Sequence, residues 1–176
     1  MELVLIRHTS VDVPPGVCYG QTDVPLKDCF ENEAAHTRLL LQPYAPFDAV
    51  YTSPLTRCIR LAERCGYPEA RRDQRLLELD FGEWEMRAFD AIRDPRLQEW
   101  YDDYLHVAPT GGESFQQQYA RVSHFLEELK GKPYRRAAVF AHGGVLLCAR
   151  LYAGELTPDQ LFGSLTPYGG VVCLQL

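Results

Sequence analysis

The chain reads as an α/β layered domain. Short apolar runs alternate with helix-like stretches along its length, the pattern of strands covered by helices. The first run, Leu3-Val4-Leu5-Ile6, is apolar without interruption, as expected for a strand buried on both faces. Composition agrees: 46% of the 176 residues are hydrophobic and 24% charged, which fits a globular chain and excludes a disordered or fibrous one. A chain this long buries about two-thirds of its unfolded surface, so it needs no disulfide or metal staple. No internal repeat, low-complexity tract or linker divides residues 1–176, so a single domain is expected.

After the first strand comes a Pro/Gly-rich loop from Val13 to Pro25, then a helix from about Lys27 to Gln42 that stops before Pro43. Asp48 to Thr52 is the second strand. Ser53-Pro54 reads as an N-cap followed by proline at the first helical position, and Gly66 closes that helix. Gln74 to Leu79 is expected to be a third strand. Residues 81–112 are the least regular part and hold both tryptophans, Trp84 and Trp100. Ser114 and Gln117 then form a capping-box pattern before Phe115, Tyr119, Val122, Phe125, Leu126 and Leu129, which recur at helical spacing. A buried strand (Ala137 to Ala141), a helix (Gly144 to Ala153) and a terminal strand (Gly170 to Leu176) complete the chain.

Charge and cysteine usage narrow the function classes. Eighteen basic residues against 24 acidic ones leave −6, which argues against a general nucleic-acid or anionic-membrane partner. No apolar run approaches the about 20 residues that span a bilayer, and the N-terminus lacks the features of a signal peptide. The six cysteines are scattered, with no Cys-x-x-Cys and no zinc spacing, and Cys148 and Cys173 lie in apolar runs. The expectation is a reduced, cytoplasmic protein without a metal. Nothing in the sequence specifies an oligomeric state.

In open α/β sheets, ligands bind beyond the carboxyl ends of strands. The first strand exits into Arg7-His8-Thr9, the second into Ser53-Pro54-Leu55-Thr56-Arg57, and the strand Ala-Val-Phe-Ala into His142-Gly143-Gly144. Two His and two Arg near helix N-termini suit a phosphoryl group. An acid is also present after the third strand, but spacing alone does not choose among Glu78, Asp80, Glu83 and Glu85.

These segments, with Leu77-Glu78-Leu79-Asp80-Phe81-Gly82-Glu83-Trp84-Glu85, resemble the histidine phosphatase (phosphoglycerate mutase-like) superfamily in kind and order, from residue 3 to about 150. Cys18 to Leu26, Trp84-Glu85-Met86-Arg87 and Pro109 to Phe115 look like α-ribazole-5′-phosphate phosphatases of cobalamin synthesis. The resemblance implies a three-layer α/β/α sandwich with a mostly parallel sheet. It implies a phosphomonoesterase needing no cofactor or metal, whose partner is a small-molecule phosphate ester. His8 would attack phosphorus, Arg7 and Arg57 would clamp the non-bridging oxygens, and His142, protonated, would add a further donor. The family pattern selects Glu78 as the proton donor and later base.

Many members carry Gly after the catalytic His and a phosphate-contacting Asn six residues on; here those positions are Thr9 and Pro14. Gln21 and Thr22, with Gly20 and Gly143, are the candidate replacement or additional substrate contacts. The 81–112 stretch is a candidate cap, with Trp84, Trp100 or Tyr104 stacking on a flat ligand. His36, His106 and His124 are given no role. The competing expectations are a broad-specificity phosphatase of the same superfamily, a phosphoglycerate mutase, and a phosphate-binding or partner-binding module without turnover.

Overall fold

The computed structural model describes residues 1–161 and 163–176. Strands β1 (Glu2–Arg7), β2 (Ala49–Thr52), β3 (Arg71–Arg72), β4 (Arg136–Ala141) and β5 (Val171–Gln175) form one sheet in the order β3-β2-β4-β1-β5. The pairs β1–β4, β4–β2 and β2–β3 are parallel, and β5 runs antiparallel to β1. Helices are α1 (Phe30–Leu41), α2 (Thr56–Arg64), α3 (Arg96–Asp102), α4 (Phe115–Lys130) and α5 (Gly143–Tyr152).

The apolar runs are continuous because both faces of the sheet are covered. Leu3 and Leu5 of β1 pack with Phe125, Leu126 and Leu146 of α4 and α5. Val4 and Ile6 pack with Phe30, Ala34 and Leu61 of α1 and α2. The result is the expected α/β/α sandwich. Helix α4 starts in the anticipated capping box, with Ser114 Oγ accepting from Gln117 N and Gln117 Oε1 accepting from Ser114 N. Such a cap contributes about 1 kcal/mol.

Two local expectations are corrected. No strand runs from Gln74 to Leu79: β3 is the pair Arg71–Arg72, and Gln74–Leu76 is a 3₁₀ turn whose Asp73 cap accepts from Arg75 N. Helix α2 begins at Thr56, not at Ser53-Pro54. Its first turn is capped from a distance, because the Asp23 carboxylate accepts from Thr56 N at 3.0 Å and from Thr56 Oγ1. Ser53 is thereby left for another partner.

Residues 81–112 build a separate small core, with Cys18, Trp84, Ile92 and Trp100 buried together. Trp84 is wholly buried and donates from Nε1 to Asp94 at 2.8 Å, so it fills this core and does not face a ligand as the sequence had suggested. All six cysteines are free thiols; Cys148 is buried and Cys173 only partly so. Among the described residues, no helix is long and apolar enough to cross a membrane.

Candidate active site

Register brings the three strand ends together, since Arg7 lies opposite Ala141 and Thr52 opposite Phe140. His8, Arg57 and His142 therefore meet at one edge of the sheet. His8 is 2% exposed, and its Nδ1 lies 2.7 Å from the Thr9 carbonyl oxygen. A carbonyl only accepts, so the proton sits on Nδ1 and Nε2 keeps its lone pair. Burial, joined by the Arg57 and Arg7 charges, pushes the His8 pKa down to about 3 and outweighs the Thr9 bond, so the ring is neutral.

The ring of His142 stands 5.2 Å from that of His8. Arg57 donates from Nε to His142 Nδ1 at 3.3 Å, which places the His142 proton on Nε2, 2.7 Å from Ser53 Oγ. Burial first, and then the nearby Arg57, push the His142 pKa well down. The protonated His142 expected from the resemblance is thus corrected to a neutral Nε2–H form. Arg57 itself is wholly buried and also donates to the carbonyls of Thr22 (2.9 Å) and Gly20. Arg7 donates from one terminal nitrogen to the Thr166 carbonyl and lies 4.0 Å over the Tyr168 ring. Its Nε is buried with no hydrogen-bond partner among the described residues.

The four acids after β3 occupy different places. Asp80 accepts from Gly82 N, Glu83 is exposed, and Glu85 is committed to the 20–22 loop. Glu78 faces the same cavity as Arg7 and His8. Its carboxylate accepts from Leu79 N (2.9 Å), from Gly144 N (3.1 Å) and from Gln118 Nε2 (2.9 Å). Its backbone is held by Arg121, which donates to the carbonyls of Arg75, Leu77 and Glu78.

Of the other sequence candidates, Gln21 and Thr22 do not present free side chains. Gln21 Nε2 donates to the Glu78 carbonyl at 3.1 Å, and Thr22 Oγ1 donates to Glu85 at 2.7 Å. Gly20 is required by close approach, because a Cβ there would lie 1.8 Å from the Leu79 carbonyl oxygen. Gly143 packs beside the Arg7 guanidinium, and it is Gly144 whose amide meets the carboxylate. Sequence reasoning missed Gln118 and Tyr168. Gln118 follows the capping box without any mark of its own, and Tyr168 sits in a turn before β5. Tyr19 and Tyr168 join their hydroxyls at 2.7 Å across the site.

Next to Arg7 and His8 the cavity, of about 340 Å³, is walled by Leu79, Phe81, Phe89, Trp100, Tyr104 and Phe115. That volume falls in the range of small-molecule sites. Phe89 and Trp100 lie parallel, 6.2 Å apart with a 20° interplanar angle.

With this fold and site, residues 3–176 match the family model for the histidine phosphatase superfamily (branch 1), and the chain belongs to that superfamily. It is 32% identical over 162 residues, 86% of this chain and 79% of the relative, to an adenosylcobalamin/alpha-ribazole phosphatase of Salmonella typhimurium. It is also 31% identical over 174 residues, 90% of this chain and 84% of the relative, to a 2,3-bisphosphoglycerate-dependent phosphoglycerate mutase of Azorhizobium caulinodans. The crystal structure of the alpha-ribazole phosphatase from Shigella flexneri superposes with a TM-score of 0.88 at 26% identity, covering 100% of this chain and 91% of that one.

Proposed function

We propose that the protein is a phosphomonoesterase that works through a phosphohistidine at His8, with α-ribazole 5′-phosphate as its favoured substrate. The observation that carries the reading is a neutral His8, its Nε2 lone pair unbound, sharing a cavity with Glu78 and an aromatic wall. The phosphoryl group enters beside Arg7 and takes over the donors that Arg57 now gives to the Gly20 and Thr22 carbonyls. Nε2 of His8 forms the P–N bond as the ester P–O bond breaks, and the leaving oxygen takes the proton of Glu78. Water then attacks phosphorus and gives one proton to Glu78. The P–N bond breaks, and inorganic phosphate leaves with His8 neutral again. His142 accepts from Arg57 Nε at its Nδ1 and so orients that guanidinium toward the phosphoryl group.

The aromatic wall favours a flat, apolar alcohol over a second phosphate. Arg7 and Arg57 are both engaged by one phosphoryl group, and the described residues lining the cavity offer no further permanent cation for the second phosphate of a bisphosphorylated mutase cofactor. Residues 81–112 act as the cap that supplies Phe81, Phe89, Trp100 and Tyr104. The test is phosphate release from α-ribazole 5′-phosphate, 3-phosphoglycerate and p-nitrophenyl phosphate, with trapping of acid-labile phosphoenzyme. A kcat/KM for the first at least about 100-fold above the others, about 2.7 kcal/mol, supports the assignment. Equal rates on all three make the protein a broad-specificity phosphatase, and absence of turnover and phosphoenzyme makes it a binding module.

A further inference from the structure

We infer that Gln118 is a positioning residue that holds Glu78 in both protonation states of the reaction; this rests on the reading of Glu78 as acid and then base. Gln118 lies in the first turn of α4 and is wholly buried. Its Nε2 donates to Glu78 Oε1 at 2.9 Å, while its Oε1 has no hydrogen-bond partner among the described residues. An unpaired buried acceptor costs about 1–3 kcal/mol. A methionine would fill the same volume without that cost, so packing does not explain the amide.

The other two contacts to the carboxylate, Leu79 N and Gly144 N, can only donate, so neither can accept the O–H of a protonated Glu78. The amide carries a donor and an acceptor on one pivot. Half a turn about its terminal torsion exchanges Nε2 for Oε1, which accepts the O–H of a protonated Glu78. The backbone leaves room for the pair, since a Cβ at Gly144 would lie 2.4 Å from Glu78 Oε1 and 2.8 Å from Gln118 Oε1. One helical turn further on, Arg121 fixes the backbone of the same segment, so the carboxylate moves against a held frame. The titratable and charged groups around Glu78 are Arg7 and His8 at the end of β1, Arg121 of α4 with its partner Glu113, Cys148 of α5 and Cys58 of α2. Among these, Gln118 adds the neutral group able to switch with the proton.

The experiment is rapid-quench measurement, across pH, of phosphoenzyme formation and of its hydrolysis in wild type, Gln118→Met and Gln118→Glu. Gln118→Met removes both bonds, and the charge-assisted one to the carboxylate is about twice as strong as the neutral one to the protonated acid. The net change favours the protonated carboxyl, so the pH limbs of both steps move upward. The expected shift is about half to one pH unit, a three- to tenfold rate change at a pH on the limb. KM stays within about twofold. Gln118→Glu keeps size and polarity, which safeguards folding, and shifts the limbs in the same direction. Slower steps with unmoved limbs in both variants would overturn the inference and leave the phosphohistidine reading intact. Wild-type turnover without phosphoenzyme would instead overturn that underlying reading.

Discussion

The two ends of the cavity are built by different means. At the phosphoryl end, His8, Ser53 and His142 each sit within one or two residues of a strand terminus, and the parallel register of β2, β4 and β1 aligns them. Their side chains are buried, and the bonds to the Thr9 carbonyl and from Arg57 Nε fix the two imidazole tautomers. At the leaving-group end no strand contributes. Glu78 is held by the amides of Leu79 and Gly144 and by side chains of α4, and most of the aromatic wall comes from a loop-rich segment with its own small core. In the proposed reaction, rigid backbone pairing thus serves the part common to all phosphate esters. Loops serve the part that tells one alcohol from another, as loops on a scaffold commonly do.

Substitutions at the two ends should therefore fail differently. The largest effect is expected for His8→Asn, which removes the nucleophile and lowers kcat by about 10⁵- to 10⁶-fold on every ester, the loss seen when a nucleophile is deleted. The same variant tests the electrostatics. The His8 pKa is about 3 folded against 6.5 for the free side chain, so between these values the unfolded state binds the extra proton. Wild-type stability accordingly falls as pH drops through that window, by about 1.4 kcal/mol per pH unit for this group. Urea melts at pH 6, 5 and 4 should show a slope shallower by about one proton in His8→Asn. Equal slopes would mean that His8 is charged in the native state.

Glu78→Gln comes next and sharpens the contrast. Loss of a general acid costs about 100- to 10,000-fold. That loss should appear in phosphoenzyme formation from alkyl esters and largely vanish with p-nitrophenyl phosphate, whose leaving group needs no proton. Phosphoenzyme would then accumulate, because water loses its base. A smaller and selective effect is expected at the wall. Phe89→Ala should lower kcat/KM for α-ribazole 5′-phosphate by about tenfold, the scale of one aromatic contact, and leave 3-phosphoglycerate unchanged. Equal losses on both esters would erase the distinction between the two ends.

The same division decided what could be read from the sequence. Apolar runs ending in Arg7-His8, Thr52-Ser53 and Ala141-His142 announce strands and their exits, so the meeting of His8, Arg57 and His142 at one sheet edge was legible. The Gln74–Leu79 stretch misled because Leu76, Leu77 and Leu79 suit a strand. Its carbonyls are instead satisfied by Arg121, some 43 to 46 positions away, a contact without local signature. Ser53-Pro54 imitates a cap and first turn, but Asp23 takes the cap from 33 residues upstream and Ser53 turns to His142. The neutral state of His142 likewise depends on burial beside Arg57, which no spacing reveals.

Tyr168 joins the two ends, and the smallest predicted effect concerns it. Its ring lies 4.0 Å from the Arg7 guanidinium carbon, and its hydroxyl meets that of Tyr19, itself 5.6 Å from Arg57. The ring contact orients a phosphoryl ligand's arginine, whereas the hydroxyl bond only ties one loop to another at a position where Tyr168 is 41% exposed. An exposed hydroxyl pair competes with water, so Tyr168→Phe should change kcat/KM by no more than about threefold, below the about 1 kcal/mol of an average hydrogen bond. Tyr168→Ala removes the cation–π contact as well and should raise KM for every ester alike, because Arg7 serves the phosphoryl end. If Tyr168→Phe instead discriminated between α-ribazole 5′-phosphate and 3-phosphoglycerate, the hydroxyl would belong to the leaving-group wall, and the boundary between the two ends would run through this side chain.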